Sequence, residues 1–523
     1  MTTPASHGRT TQPKVDWTIM LYIAADDVLA NFAVESLRQL CESARASAPS
    51  QANVVVAAQF AFSTDTAKPG SANGEKSGED IEGLYIFKKD KVKKDKVGPL
   101  PRLAQLVRKP KTTNTAKANK TQGKVNMSQK DALTAFMKSV YTEPECEARR
   151  YALILWGHGP ELLLQPSAGR LTGGDDSMYI TPEELRGALH DLGRNRPNLD
   201  IIGFDACFMS MFEMAYELQG LAEYMVASQD EVPDASFPYD KLIELFRKDG
   251  KMRTTSLLDK GVKAYVSNYQ DCICDQSTGM KRVTLSLLNL KNCDALKEAI
   301  RSLACALLNA KDKAGLAKLL IEARGASQDY ASGLYVDLHD FCEKLETLLK
   351  KDASETTDIK YACRKLLKTL AVGTSNFILD NSDNKCSHGV SIYFPYLKYQ
   401  QYVEVSKPLV KGGIGTRGAK GFSDALNGAA AEYLMCARRS LILDTEGYYG
   451  RLKMARDTSW YSFITKVWTR ALIETAPAEL DFHYSAQQAW MNVTRPPGDP
   501  DGPGGSDSAE ATSNEEAEGV LKK

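Results

Sequence analysis

Two turns in this chain carry side chains able to do chemistry together. The first is Asp205-Ala206-Cys207, which ends the apolar run Leu199-Asp200-Ile201-Ile202-Gly203-Phe204. The second is Gly157-His158-Gly159, which ends the apolar run Tyr151-Ala152-Leu153-Ile154-Leu155-Trp156. A cysteine nucleophile needs a base within hydrogen-bond reach, and histidine is the usual partner. Of the chain's six histidines, His158 alone lies between glycines directly after an apolar strand. Gly159 has no Cβ, so its N–H can approach a ligand closely. Together with the N–H of Cys207 it would form an oxyanion hole for a tetrahedral intermediate. The pairing of these two turns admits acyl transfer, with Cys207 as nucleophile, His158 as base, and Gly159 and Cys207 as oxyanion donors, and equally a packed core cysteine beside a structural histidine.

Those turns must be held by a sheet. In open α/β sheets, binding crevices form beyond the carboxyl ends of the strands, and both turns lie at such ends. Further apolar runs fall at Trp17–Ala24, Asn53–Phe60 and Tyr224–Ser228, alternating with helical spacing at Leu29, Phe32, Leu37, Leu40 and at Leu133, Phe136, Met137, Val140. That alternation predicts a mainly parallel central sheet with helices on both faces. Thr181-Pro182-Glu183-Glu184 predicts a helix start, with Thr as N-cap, Pro at the first position and Glu at the third. Met211, Phe212, Met214, Ala215, Tyr216 and Leu218 are spaced as one helix face, which predicts a helix beginning at Cys207, its dipole favouring the thiolate. From Ser256 onward the pattern is mostly helical, interrupted by strand-like Val283–Leu287 and Gly389–Phe394.

Composition narrows the partners. Lys plus Arg and Asp plus Glu both total 66, so net charge favours no class of partner. No run reaches the roughly 18–20 apolar residues of a membrane span. Met1–Pro13 is polar, without the apolar core of a secretory leader. Eleven scattered cysteines fit a reducing compartment, and the expected location is the cytoplasm. Cys272 and Cys274 form a CxC without a second ligand pair, and Gly413-Ile-Gly415-Thr-Arg-Gly418 has no strand feeding it, so neither is read as a metal or dinucleotide site. Residues 88–124 hold 13 Lys/Arg against Asp90 and Asp95 and read as a disordered basic insertion, with no aromatic residues to stack on nucleic-acid bases. The expected organisation is a disordered 1–13, a core over 14–395, a helical extension over 396–475, and an acidic, Gly/Pro/Ser-rich tail over 476–523.

Taken in order, several blocks of the chain resemble the clostripain family of cysteine peptidases, which share the caspase–gingipain–legumain fold. They are Trp17-Thr18-Ile19-Met20-Leu21-Tyr22 with Asp26-Asp27, Val125-Asn126-Met127, and Leu153–Gly159. Ile201–Met209 with Glu213-Met214-Ala215-Tyr216 follows, then Ala227-Ser228 before Pro233, Tyr335-Val336-Asp337-Leu338, His388–Pro395, and Thr458-Ser459-Trp460. The resemblance implies a caspase-like α/β fold and a Cys207–His158 dyad. It places Asp205 in the S1 pocket, where a carboxylate selects a basic P1 residue, pairing with Arg through two bonds or with Lys as a point charge. Substrates would be proteins or peptides with exposed Arg or Lys, with Arg preferred and Lys accepted. It implies no certain cofactor. Calcium stays open, since some relatives need it and Asp26, Asp27, Asp175 and Asp176 could offer oxygen ligands.

The chain also departs from the family pattern. Pro160-Glu161-Leu162 follows His158-Gly159 where many members have Gly and an aromatic residue. Asp234-Ala235-Ser236-Phe237 replaces a Gly-rich segment. Members are commonly zymogens cut after a basic residue between the His and Cys strands, here residues 159–198. Arg170-Leu171 is the expected processing site. Arg196 precedes Pro197, and Arg186 lies in a predicted helix. The basic insertion reads as a target for the enzyme itself or for an upstream protease, within a bacterial stress or defence cascade. The competing expectations are a silent caspase-like scaffold and a regulatory protein binding through the basic insertion.

Overall fold

The computed structural model describes residues 15–25, 29–45, 50–63, 80–88, 127, 129–157, 180–193, 197–233, 235–269, 283–330, 333–351, 357–381, 387–396, 448–468 and 470–471. Outside them lie His158, Gly159, Arg170, the four aspartates considered for calcium, residues 89–124 of the basic insertion, and the terminal segments 1–13 and 476–523.

Apolar runs buried on both faces make the centre of an eight-stranded sheet. Its strands are β1 (Val15–Ala24), β2 (Val54–Ser63), β3 (Asp80–Lys88), β4 (Ala148–Trp156), β5 (Leu199–Asp205), β6 (Ala222–Ala227), β7 (Ser286–Asn289) and β10 (Ile378–Asn381). The order across the sheet is β10-β7-β6-β5-β4-β1-β2-β3. The five strands from β6 to β2 pair in parallel, and β3 and β7 run antiparallel to their neighbours. A mainly parallel sheet of near-continuous apolar strands requires cover on both faces.

Alternate residues of the same strand enter different cores. Met20 and Tyr22 join one cluster, while Trp17, Ile19, Leu21 and Ile23 join the other. Helices Ala30–Arg45, Tyr239–Asp249 and Thr254–Asn268 supply the second cluster. Helices Lys130–Thr142, Pro182–His190, Phe212–Glu217 and Cys293–Asn309 supply the first. The helix start at Thr181 carries the full capping box, with Glu184 returning to the Thr181 N–H. This α/β, caspase-like layering with a largely helical C-terminal part is the architecture expected from the sequence.

A second, three-stranded sheet is built around the strand-like run Gly389–Phe394: β8 (Asp329–Tyr330), β9 (Tyr335–Asp337) and β11 (Ser391–Tyr393), in the order β11-β9-β8, of which the sequence announces only β11. It joins the site through a parallel bridge between Met211 and Ser391. The described part of the C-terminal segment, 448–468, packs into the first core through Tyr449, Trp460 and Trp468. Its polar anchors are the Tyr449 hydroxyl on Glu213, and the Trp460 and Trp468 indoles on the carbonyls of Tyr393 and Pro395. Lys88, expected to open the basic insertion, instead closes β3, with its ammonium 3.2 Å from Glu145. No helix among the described residues is long and apolar enough to cross a membrane.

Candidate active site

Register brings the two loaded strands into line. Trp156 at the end of β4 pairs with Asp205 at the end of β5, and the Gly157 N–H reaches the Asp205 carbonyl at 3.4 Å. Gly157 passes so close to β1 that a Cβ there would lie 3.0 Å from the Ala24 carbonyl oxygen. His158 follows this glycine in sequence and, with Gly159, lies outside the described residues.

Cys207 sits in a turn rather than at a helix start, which corrects the expectation above. The helix begins five residues later, at Phe212, and has six residues. The reason is local. Phe208 adopts a left-handed φ of 59°, and Met211 is held extended by its bridge to Ser391, so helical geometry cannot begin earlier. The turn is clamped by Phe208 N–H on the Asp230 carbonyl and Ser210 N–H on the Ser228 carbonyl. The Cys207 sulfur accepts the Val232 N–H at 3.3 Å. The thiol is half-buried, whereas Cys41, Cys146, Cys293, Cys342 and Cys363 are buried. Burial pushes the Cys146 thiol up to about 12, which keeps it inert. Accessibility separates Cys207 from these five thiols, while Cys305, in the helix Cys293–Asn309, is half-buried too.

Asp205 is 3% exposed. Its Oδ2 accepts from the Ser236 hydroxyl, from Phe237 N–H at 3.0 Å and from the Tyr239 hydroxyl at 2.8 Å. Its Oδ1 is buried with no hydrogen-bond partner among the described residues. Burial pushes the carboxyl up to about 6, and the three donors only partly oppose it. The Ser236 hydroxyl also receives the Trp156 indole N–H, and the Tyr269 hydroxyl donates to the Ser236 carbonyl. Ser236 holds a left-handed φ of 70°, so a serine takes a backbone conformation that usually calls for glycine.

A second buried carboxylate, Asp337, lies behind the same turn. Its Oδ1 accepts Asp340 N–H at 2.9 Å and pairs with His388 Nδ1 at 3.0 Å. Its Oδ2 accepts His388 N–H at 2.6 Å and Gln229 Nε2 at 3.0 Å. The bond to Asp337 raises the His388 pKa above the ordinary value. The His339 ring stacks on that of His388 at 4.3 Å and is shifted the other way, chiefly by burial. Gln229 Oε1 accepts Gly389 N–H, and the Gly389 carbonyl accepts the Ser210 hydroxyl at 2.7 Å. A Cβ at Gly389 would lie 2.9 Å from Ile378 Cγ2.

The structure therefore sets Asp205 and Cys207 in one turn, two residues apart, with Trp156 beside them. It places Arg186 inside the helix Pro182–His190, its Nε 3.1 Å from the buried Glu217 carboxylate. Sequence reasoning did not single out Tyr239, Tyr269, Gln229 or Val232, and it named Ser236 only within the segment that replaces a Gly-rich one. The one local signal was a serine standing where a left-handed residue is needed. Among the described residues no group of three or more His, Cys, Asp or Glu side chains is arranged to hold a metal.

With that site in place, the comparisons define the class. A profile of the clostripain family, peptidase family C11, matches residues 21–404, and the chain belongs to that family. Clostripain of Hathewaya histolytica is 26% identical over 325 residues, 54% of this chain and 60% of the relative, so the match spans about three fifths of that protein. An inactive zymogen C11 protease from Parabacteroides distasonis is 16% identical with a TM-score of 0.49, covering 86% of this chain and 99% of that one. A secreted C11 cysteine protease from Bacteroides thetaiotaomicron, in complex with an irreversible peptide inhibitor, is 18% identical with a TM-score of 0.47, covering 75% and 97%.

Proposed function

We propose that this chain is a cysteine endopeptidase that cleaves proteins and peptides after basic residues. The observation that carries the reading is the turn itself: a half-buried thiol two residues beyond a buried carboxylate that keeps one oxygen unpartnered. His158 takes the Cys207 proton as the sulfur attacks the scissile carbonyl carbon. The oxygen of the tetrahedral intermediate is met by the N–H groups of Gly159 and Cys207. His158 then returns the proton to the leaving amine as the C–N bond breaks, leaving a thioester. Water, deprotonated by His158, attacks that thioester and releases the acid, and the sulfur recovers its proton. Asp205 at the base of S1 receives the P1 cation.

The enzyme is made as a zymogen. Cleavage after Arg170 activates it, while Arg186, paired with Glu217 inside a helix, stays uncut. The basic insertion over residues 88–124 is a second regulatory target, for the enzyme itself or an upstream protease, in a cytoplasmic cascade.

Fluorogenic Lys- and Arg-peptides test the reading. Wild type hydrolyses them, and Cys207→Ala and His158→Ala do not. Hydrolysis by Cys207→Ala at the wild-type rate would refute it. Intact masses of wild type and Cys207→Ala test self-cleavage, and identical uncut masses would remove Arg170. Deleting residues 88–124 yields a constitutively active enzyme if the insertion restrains it, and unchanged latency counts against that role.

A further inference from the structure

The Asp205 carboxylate is pinned in an unequal way. Trp156 Nε1 can only donate, so the Ser236 hydroxyl that accepts it must spend its single hydrogen on Asp205 Oδ2. Phe237 N–H and the Tyr239 hydroxyl add two more donors to that oxygen. A carboxylate oxygen has about two lone-pair sites, so Oδ2 has no capacity left. Oδ1 has no partner among the described residues. Turning the carboxylate by half a rotation exchanges the oxygens and leaves the same count.

The advantage of arginine at a carboxylate is its planar fork, which places two N–H groups on two oxygens. A receptor with one open oxygen removes that advantage. The guanidinium then makes one bond and carries the rest of its five donors into a buried site. A lysine ammonium makes the same single bond from a compact head with three donors. Arginine retains its weaker hydration, so the outcome is parity or a moderate lysine preference rather than exclusion.

We propose that Asp205 is a single-oxygen receptor, held so by Ser236 and Tyr239, and that P1 lysine is cleaved at least as well as P1 arginine. This rests on the basic-P1 reading above and fixes the order of the two residues within it. Ser236 and Tyr239 are positioning residues, acting on the P1 side chain through Asp205.

The test compares kcat/KM on two peptides differing only in P1 Lys or Arg. Full-length wild type, Ser236→Gly, Tyr239→Phe, the double variant and Asp205→Asn are assayed. Glycine tolerates the left-handed backbone at position 236. Wild type gives a Lys-to-Arg ratio of one or more. The double variant, with lone pairs restored to Oδ2, shifts the ratio toward Arg by about fivefold or more, mainly through KM, the effect of about one recovered hydrogen bond. Asp205→Asn loses both activities. Alkylation of Cys207 by iodoacetamide checks that each variant keeps its site; where a variant does not, the wild-type ratio decides alone. A wild-type preference for Arg of about twofold or more, with both activities lost in Asp205→Asn, overturns the single-oxygen receptor and leaves the basic-P1 reading standing. Full retention of both activities in Asp205→Asn overturns the two together.

Discussion

Asp205 and Asp337 are buried carboxylates linked to the same Cys207 turn, yet their polar shells are completed differently. Asp337 spreads four partners over both oxygens, two of them from His388 and one from Gln229. Asp205 gathers three donors on Oδ2 and keeps Oδ1 bare. A buried carboxylate without full pairing costs free energy unless a cation arrives. Asp337 is a finished clasp between the small sheet and the turn, whereas Asp205 keeps one buried oxygen without a partner among the described residues. Glu213 shows that a bare oxygen alone is not a receptor. Its Oε2 is also unpartnered, but Glu213 faces Tyr393 and Tyr449 in the C-terminal packing, and burial pushes its carboxyl up to about 7.

The contrast breaks most visibly by mutation. Asp205→Asn is expected to lower kcat/KM on basic-P1 peptides by about 10²–10³-fold, the effect of truncating one partner of a buried charge pair. Iodoacetamide labelling of Cys207 continues; loss of labelling together with activity would make Asp205 a structural residue like Asp337. Asp337→Ala is expected to cost about 2–3 kcal/mol in denaturant unfolding, because His388 and Gln229 lose a shared acceptor. The P1 Lys-to-Arg ratio stays unchanged, and a shifted ratio would blur the distinction.

Acid should act on the two carboxylates differently. Asp205 in the free site titrates near pH 6, so KM for a P1-Lys peptide rises about tenfold between pH 7 and pH 5 as the receptor loses its charge. A flat KM across that range would show that Asp205 carries no P1 charge. The raised His388 pKa has the opposite sign. Its pairing contributes stability fully below the ordinary value of about 6.5 and loses it as pH climbs through the folded value. Unfolding profiles of wild type and Asp337→Ala should therefore converge toward high pH.

The smallest effect belongs to Glu213→Gln, within about 0.5 kcal/mol at pH 6, where the native side chain is largely protonated. Its native carboxyl binds protons more tightly than the unfolded one between about pH 4.5 and 7, so wild-type stability falls as pH rises across that window. Glutamine removes that slope, and a retained slope in thermal melts would place the titration elsewhere.

Where the chemistry is local in sequence, the residues announce it. The apolar runs of β1, β4 and β5 are long and bounded by turns, because strands covered on both faces tolerate little else. The capping box at Thr181 closes within four residues and forms as its residue types predict. Asp205 and Cys207 share one turn for the same reason. The helix after Cys207 begins later than the apolar spacing predicts, because that spacing shows a helix face but not its first residue, and Met211 has no side-chain cap to mark it. The short strands β8, β9 and β10 are hidden in the sequence because two to four residues carry too little periodicity, whereas β11 falls within the strand-like run Gly389–Phe394. The state of the carboxylates depends instead on long-range packing. Ser236, Phe237 and Tyr239 come to Asp205 from 31 to 34 residues away, and Trp156 reaches Ser236 across 80. His388 reaches Asp337 across 51 residues. That an acid stands two residues before the thiol is legible in the chain alone. Packing decided which of its oxygens is spent, because hydrogen-bond saturation depends on donors that only the folded sheet brings together.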